Sequence, residues 1–135
     1  MRTDAIVVDT HVLLWWLADD ERLSAPAEEA LRRAASVLVS PITFWEVAML
    51  VNKGRVELDR TSMQWTNDVL AAGRVTDAPL TPEIAIAAAG LVGMHGDPAD
   101  RFIAATAITA GVALVSKDQR LRGWAAESGE VVCIW

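Results

Sequence analysis

Five carboxylates in this 135-residue chain stand where acids could act together: Asp9 ends "AIVVD", Glu46 interrupts "PITFWEVAML", Asp97 and Asp100 open "DPADR", and Asp118 follows "VALVSK". Glu46 is the most informative, being the only charge in a run that reads as an apolar helix. A helix apolar all round is normally buried. A lone buried carboxylate costs on the order of several kcal/mol unless it is paired, protonated or bound to a cation. Acids without a cysteine or histidine cluster make an oxygen-only donor set, which prefers Mg²⁺ or Mn²⁺ over zinc. Such a set can bind two cations, one activating a water and the other stabilising the leaving oxygen of a phosphodiester. Thr10 and Ser116 are hydroxyls beside these acids. Arg101, Lys117, Arg120 and Arg122 are their neighbours in sequence and, with Lys53 and Arg55 at the close of the Glu46 helix, form a candidate rim for a polyanion, the alternative being a solvated charged face. His11 and His95 read as structural or rim residues, because an oxygen site does not need them.

The elements that must position these groups follow from pattern and punctuation. Branched apolar runs predict strands over residues 5–8, 37–39, 75–80, 112–116 and 131–134. Helices are predicted over 11–18, from Ser24-Ala25-Pro26, from Pro41 to the stop at Asn52-Lys53-Gly54, over 62–72, from Thr81-Pro82-Glu83, from Asp97-Pro98 to Gly111, and briefly over 119–124. Alternating helices and wholly apolar strands predict a three-layer α/β/α sandwich around a central, mainly parallel sheet. Ligands of such sheets bind outside the carboxyl ends of the strands, where helices leaving the sheet begin. That favours Asp9, Glu46 and Asp118. Asp100 belongs to a helix that feeds a strand, so its edge stays open. Capping is a second reading for Asp9, Asp97 and Asp118, and Asp100 suits a first helical turn; Glu46 has no such role.

Length fits one domain, residues 1–135, with no linker, repeat or low-complexity segment. No apolar stretch reaches a membrane span, so the expected location is the cytoplasm. The single cysteine, Cys133, excludes an internal disulfide framework and reads as buried. A net charge of -6 argues against binding nucleic acid through a broad basic surface, but acids that hold cations can still attract phosphate. Six tryptophans and 53% apolar residues exceed ordinary usage and point to apolar surface meant for a partner. Trp15 and Trp16 lie about 100° apart around one helix, so one side should meet another chain; with Trp45 they make the candidate partner surface.

The segments "VVDTHVLLWWL", "SPITFWEVAML", "HGDPADRFIAATAI" and "LVSKDQRL" together resemble, in order and spacing, the PIN-domain ribonucleases, in particular the VapC-like toxins of toxin–antitoxin pairs. The resemblance runs from Asp4 to the final Val-Val-Cys-Ile-Trp. It implies Asp9, Glu46, Asp100 and Asp118 as metal ligands and catalytic acids, with Thr10 and Ser116 as supporting hydroxyls. It also implies that the Asp100 helix starts at the catalytic edge. Ala99 stands where close relatives often carry phenylalanine. The implied activity is Mg²⁺- or Mn²⁺-dependent hydrolysis of single-stranded RNA by a homodimer, inhibited by a VapB-like antitoxin whose C-terminal segment lies over the site. The competing expectations are a PIN nuclease of RNA processing without an antitoxin, and a catalytically silent PIN module, which should have lost acids. An aspartyl phosphatase with Asp9 as nucleophile would want an acid where His11 stands.

Overall fold

The computed structural model describes residues 5–135; Asp4, where the resemblance starts, lies outside the described residues. Among the described residues five strands, β1 (Ala5–Val8), β2 (Ser36–Val39), β3 (Val75–Asp77), β4 (Ala113–Val115) and β5 (Cys133–Ile134), form one sheet in the order β3-β2-β1-β4-β5. Every pairing is parallel, the register running Val7 to Leu38 and Val7 to Leu114. Among the described residues seven helices connect them: α1 (Thr10–Leu17), α2 (Ala25–Arg33), α3 (Pro41–Asn52), α4 (Ser62–Ala71), α5 (Pro82–Ala89), α6 (Pro98–Ala110) and α7 (Gln119–Ser128).

The strands are apolar throughout because both faces are covered. Ile6, Val8, Val37, Val39 and Val115 point to one side, where they pack with Val12 and Leu13 of α1, Leu31 of α2, Val47 of α3 and Trp65 of α4. Val7 and Leu114, one residue out of phase, pack on the other with Ile103 and Ala104 of α6 and Leu121 and Trp124 of α7. Buried alanines at 104, 105 and 107 let α6 lie close to the sheet, and α5 covers it through Ile84 and Ala88.

Strand order reverses at β1. The chain winds outward through β2 and β3, then returns to build β4 and β5 on the other side of β1. The crevice beyond the carboxyl ends of β1 and β4 is therefore the switch point at which open α/β sheets bind ligands. Asp9 and Ser116 are the first residues past those two strands, and the Asp9 N–H donates to Val115 O at 3.1 Å.

Three local expectations are corrected. The third strand stops at Asp77, and Pro79, which has no N–H to donate, stands just beyond it. The last helix is not brief: it runs through Gly123 to Ser128, because burial of Leu121, Trp124 and Ala125 outweighs the roughly 1 kcal/mol cost of one helical glycine. Helix α3 is not buried all round. Only Thr43 and Val47 are fully covered, Glu46 is half-buried, and Trp45 is 55% exposed. Among the described residues no helix is long and apolar enough to cross a membrane.

Candidate active site

Asp9, Thr10, Glu46, Asp97, Asp100 and Asp118 line one cavity of about 550 Å³ at the switch point. Three of these acids are helix N-caps, so capping and convergence are not alternatives. Asp9 accepts from the Val12 N–H at 3.0 Å, Asp97 from Ala99 at 3.0 Å and Asp118 from Leu121 at 3.0 Å. Each uses Oδ1 for the cap. The amino ends of α1, α6 and α7, each carrying a partial positive charge, therefore meet at the cavity. Asp97, which the resemblance does not count among the four metal-site acids, is a fifth acid of the lining.

Three of the acids, Asp9, Glu46 and Asp100, are held by side chains as well. Ser116 Oγ donates to Asp9 Oδ2 and accepts from the Asp118 N–H at 3.1 Å, tying the ends of β1 and β4 together. Thr10 donates to Glu46 Oε1, and its oxygen lies 3.2 Å from Thr43 Oγ1. His95 Nε2 lies 2.8 Å from Asp100 Oδ2. Thr10 and Ser116 thus stand beside the acids as expected. His95 is a direct neighbour of Asp100, not merely a rim residue; its position five residues before that acid was the available signal.

The pKa values of Asp9, Glu46 and Asp100 are raised by burial first and by neighbouring carboxylates second. Asp9, 8% exposed, is pushed up from 3.8 to about 6, by burial above all and against the hydrogen bonds from Ser116 and Val12. Glu46 is raised, first by burial and further by the charges of Asp100 and Asp97, although Thr10 opposes the shift. Asp100 is raised by burial, with Asp97 and Asp118 adding to it and His95 opposing. Cys133, half-buried rather than buried, has its thiol pushed up to about 11, chiefly by burial.

Among the described residues no three His, Cys, Asp or Glu side chains are grouped closely enough to hold one ion between them. The donors nevertheless suit a hard divalent cation. They are oxygen-only, they share one cavity, and their raised proton affinity reflects a charge that a cation would relieve.

The proposed rim divides. Lys117 and Arg122 line the cavity, whereas the exposed Arg120, Lys53 and Arg55 lie outside it. Arg101 points away. Its guanidinium donates to five backbone carbonyls, Ala88 at 2.9 Å, Ala89 at 3.2 Å, Leu91 at 2.9 Å, Met94 at 3.1 Å and His95 at 3.3 Å. It thereby satisfies the carbonyl end of α5 and fixes the turn that carries His95. The three tryptophans also divide. Trp16 packs on the core with the Arg74 guanidinium 5.5 Å over its ring, Trp45 is exposed on α3, and Trp15 lines the acidic cavity beside Trp135. A larger cleft of about 960 Å³ near Ala5, Pro26 and Gly111 has no comparable set of acids.

Residues 6–126 match the PIN domain as a family. This chain belongs to the PIN-domain family. As a PIN domain it is 39% identical over 118 residues to Ribonuclease VapC22 of Mycobacterium tuberculosis, which covers 87% of this chain and 89% of that protein. It is thus a VapC-type PIN domain. Solved structures share its fold. A toxin–antitoxin complex from Klebsiella pneumoniae superposes with a TM-score of 0.66 at 22% identity, covering 94% of this chain and 95% of that one. VapBC2 from Rickettsia felis, solved bound to a DNA fragment from its promoter, gives 0.65 at 13% identity over 96% of each chain. The amino end of α6, and with it Asp100, thus stands at the same edge of the sheet as Asp9.

Proposed function

We propose that this PIN domain is a divalent-metal-dependent endoribonuclease, the toxin of a toxin–antitoxin pair. The observation that carries the reading is the gathering of Asp9, Glu46, Asp100 and Asp118 around one cavity with three carboxyls raised in pKa. These four acids would hold Mg²⁺ or Mn²⁺, which when bound would neutralise the carboxylates, acidify a water and stabilise the charge that develops on a phosphodiester. The chain's own groups do the positioning. Ser116 fixes the Asp9 carboxylate, Thr10 fixes Glu46, and His95, held in its turn by Arg101, fixes Asp100. Side chains locked in this way keep the site's geometry within the narrow tolerance that phosphoryl chemistry needs.

The substrate in this reading is single-stranded RNA in the cytoplasm, and the chain acts as one domain in a homodimer. The antitoxin is supported by the relatives, two of which were solved as toxin–antitoxin complexes, and by Trp45, exposed on α3. A silent interaction module is not favoured, since all four acids are present and none is consumed by a salt bridge to Arg or Lys among the described residues.

The test is cleavage of RNA by the purified chain. Activity should vanish in EDTA, return with Mg²⁺ or Mn²⁺, and be blocked by the protein encoded next to its gene. Full activity in EDTA would sink the metal-dependent reading.

A further inference from the structure

The inner end of the cavity is acidic, but its outer wall is aromatic and cationic. Trp15 lies on α1 four residues after His11, and because helical side chains lean toward the amino terminus its ring comes to rest 5.8 Å from the His11 ring. That brings it back toward Asp9 and Thr10. The Trp135 ring is 6.0 Å away and tilted by 55°, so the two indoles open at an angle instead of covering each other's faces. The Arg22 guanidinium lies 5.0 Å from the Trp15 centroid and the Lys117 ammonium 5.4 Å, with Arg122 also lining the cavity.

These tryptophans differ from the core ones. Trp124 is 7% exposed and donates its indole N–H to Val92 O at 2.9 Å. Trp15 and Trp135 are both partly buried, Trp135 with one side against the core, and among the described residues neither gives its N–H to a protein acceptor. Their cations also differ. Arg22 is pinned to Asp20 by contacts of 3.0 and 2.8 Å, whereas Lys117 is exposed and has no ion-pair partner among the described residues. It is therefore free to leave the ring for another anion.

We propose that Trp15 and Trp135 form a stacking subsite for one unpaired nucleobase of the RNA strand, next to the phosphate to be cut, with Lys117 and Arg122 taking the flanking phosphate. The inference rests on the ribonuclease reading above and deepens it. A cavity of about 550 Å³ falls in the range that encloses a small organic ligand, and here one end suits a metal-bound phosphate while the other offers two aromatic surfaces. Every base has a flat face, so stacking of this kind tolerates any sequence but requires a base that has left its helix. The charges decide between RNA and a protein segment as the occupant. A basic peptide would be drawn to the carboxylates and repelled by Lys117, Arg22 and Arg122, whereas a strand carrying phosphates on both sides of a base is attracted at both ends once metal is bound.

The test uses a short oligoribonucleotide with one mapped cleavage site, and the same strand with an abasic nucleotide at each position flanking the cut. The full chain, Trp15→Ala and Trp15→Phe are compared in Mg²⁺. Trp15→Ala should lower kcat/KM about 10-fold, the scale of one base–aromatic stack, while Trp15→Phe stays within about 3-fold. One abasic position should cost the parent protein the same factor and cost Trp15→Ala nothing further. The abasic arm leaves the protein unaltered, so it still decides if Trp15→Ala does not fold. Losses that multiply at every position, or a Trp15→Ala protein with parental kinetics that binds only the antitoxin more weakly, would overturn the subsite and leave the ribonuclease reading standing. If the parent cuts no RNA in any metal, the ribonuclease reading fails instead. Binding of the intact and abasic strands, followed by tryptophan fluorescence, then judges the subsite alone, and equal affinity for both would overturn it.

Discussion

The Thr10 hydroxyl donates to the Glu46 carboxylate across 36 positions of sequence, joining the amino end of α1 to the second turn of α3. That contact gives Glu46 a partner but not a counter-charge, and its pKa stays raised by burial and by Asp100 and Asp97. A hydroxyl cannot neutralise a carboxylate. Glu46 is thus hydrogen-bonded but not neutralised by the protein, which is the state our proposal requires of an acid that receives a cation.

Glu46→Gln separates a site acid from a tolerated one. Removing an uncompensated charge while keeping shape should leave thermal stability unchanged or raise it in EDTA. RNA cleavage should fall by about 10²-fold or more, as expected when an electrostatic contribution at a phosphoryl centre is lost. Glu28→Gln, on the exposed face of α2, is the control and should alter neither. Cleavage at the parent rate with unchanged Mg²⁺ dependence would remove Glu46 from the site.

The pH dependence follows from Asp9. Its folded-state pKa, about 6, lies above the ordinary 3.8, so folding favours the protonated acid. Stability from this group is fully present below about pH 4 and is lost as pH rises through about 6. A shift of some two units corresponds to roughly 3 kcal/mol. Raised pKa values at Glu46 and Asp100 act in the same direction. In EDTA the melting temperature should therefore drop between pH 4 and 7, and Asp9→Asn should flatten the drop. Millimolar Mg²⁺ should restore stability at pH 7, since it binds the ionised, folded form. A melting temperature that rises with pH in EDTA would contradict the assignment.

Arg101 is predicted to act on the fold and not on RNA. With five carbonyl partners, Arg101→Ala should cost about 2–4 kcal/mol, since hydrogen bonds from a charged donor are strong and the truncation leaves helix-end carbonyls unpaired. Arg101→Lys should recover only part, because a point charge cannot replace a planar fork. Hydrogen exchange should accelerate across residues 90–96, and the salt dependence of RNA binding should not change. A shallower salt slope with an intact melting temperature would return Arg101 to the rim.

The difference between what was legible and what was not is physical. Asp9 and Asp118 could be placed from sequence because a strand followed directly by a helix fixes the edge at which the intervening residue lies. Asp100 left its edge open when only the following strand was considered. A helix of 13 residues is about 20 Å long, so one that ends at the start of β4 must begin at the opposite edge of the sheet, beside Asp9. Fold class was legible because apolar strands alternated with capped helices. The Arg101 clamp, the His95 contact and the pairing of Trp15 with Trp135 were not, since they depend on loop conformations and on contacts spanning up to 120 residues that no periodicity encodes. The burial of α3 misled for a related reason. Composition says a helix is apolar all round, but not which side the rest of the chain will cover.

That uncovered side supplies the last prediction. Trp45 sits one residue before Glu46 on α3 and is 55% exposed, although a tryptophan is costly to leave in water and tends to anchor interfaces. If it is the antitoxin's anchor, Trp45→Ser should weaken toxin–antitoxin binding by at least about 10-fold, the scale of one buried aromatic anchor. The free toxin should keep its melting temperature, because little of the ring packs inside, and RNA cleavage without antitoxin should stay at the parent rate. Ile86→Ser, 74% exposed on α5, controls for the loss of any surface apolar group and should leave antitoxin affinity unchanged. Light scattering of the free toxin distinguishes the other occupant of this face. A Trp45→Ser protein that loses its dimer while binding antitoxin normally would assign α3 to the contact between two copies of the chain, and the antitoxin would then have to reach the acids from the Trp15 side.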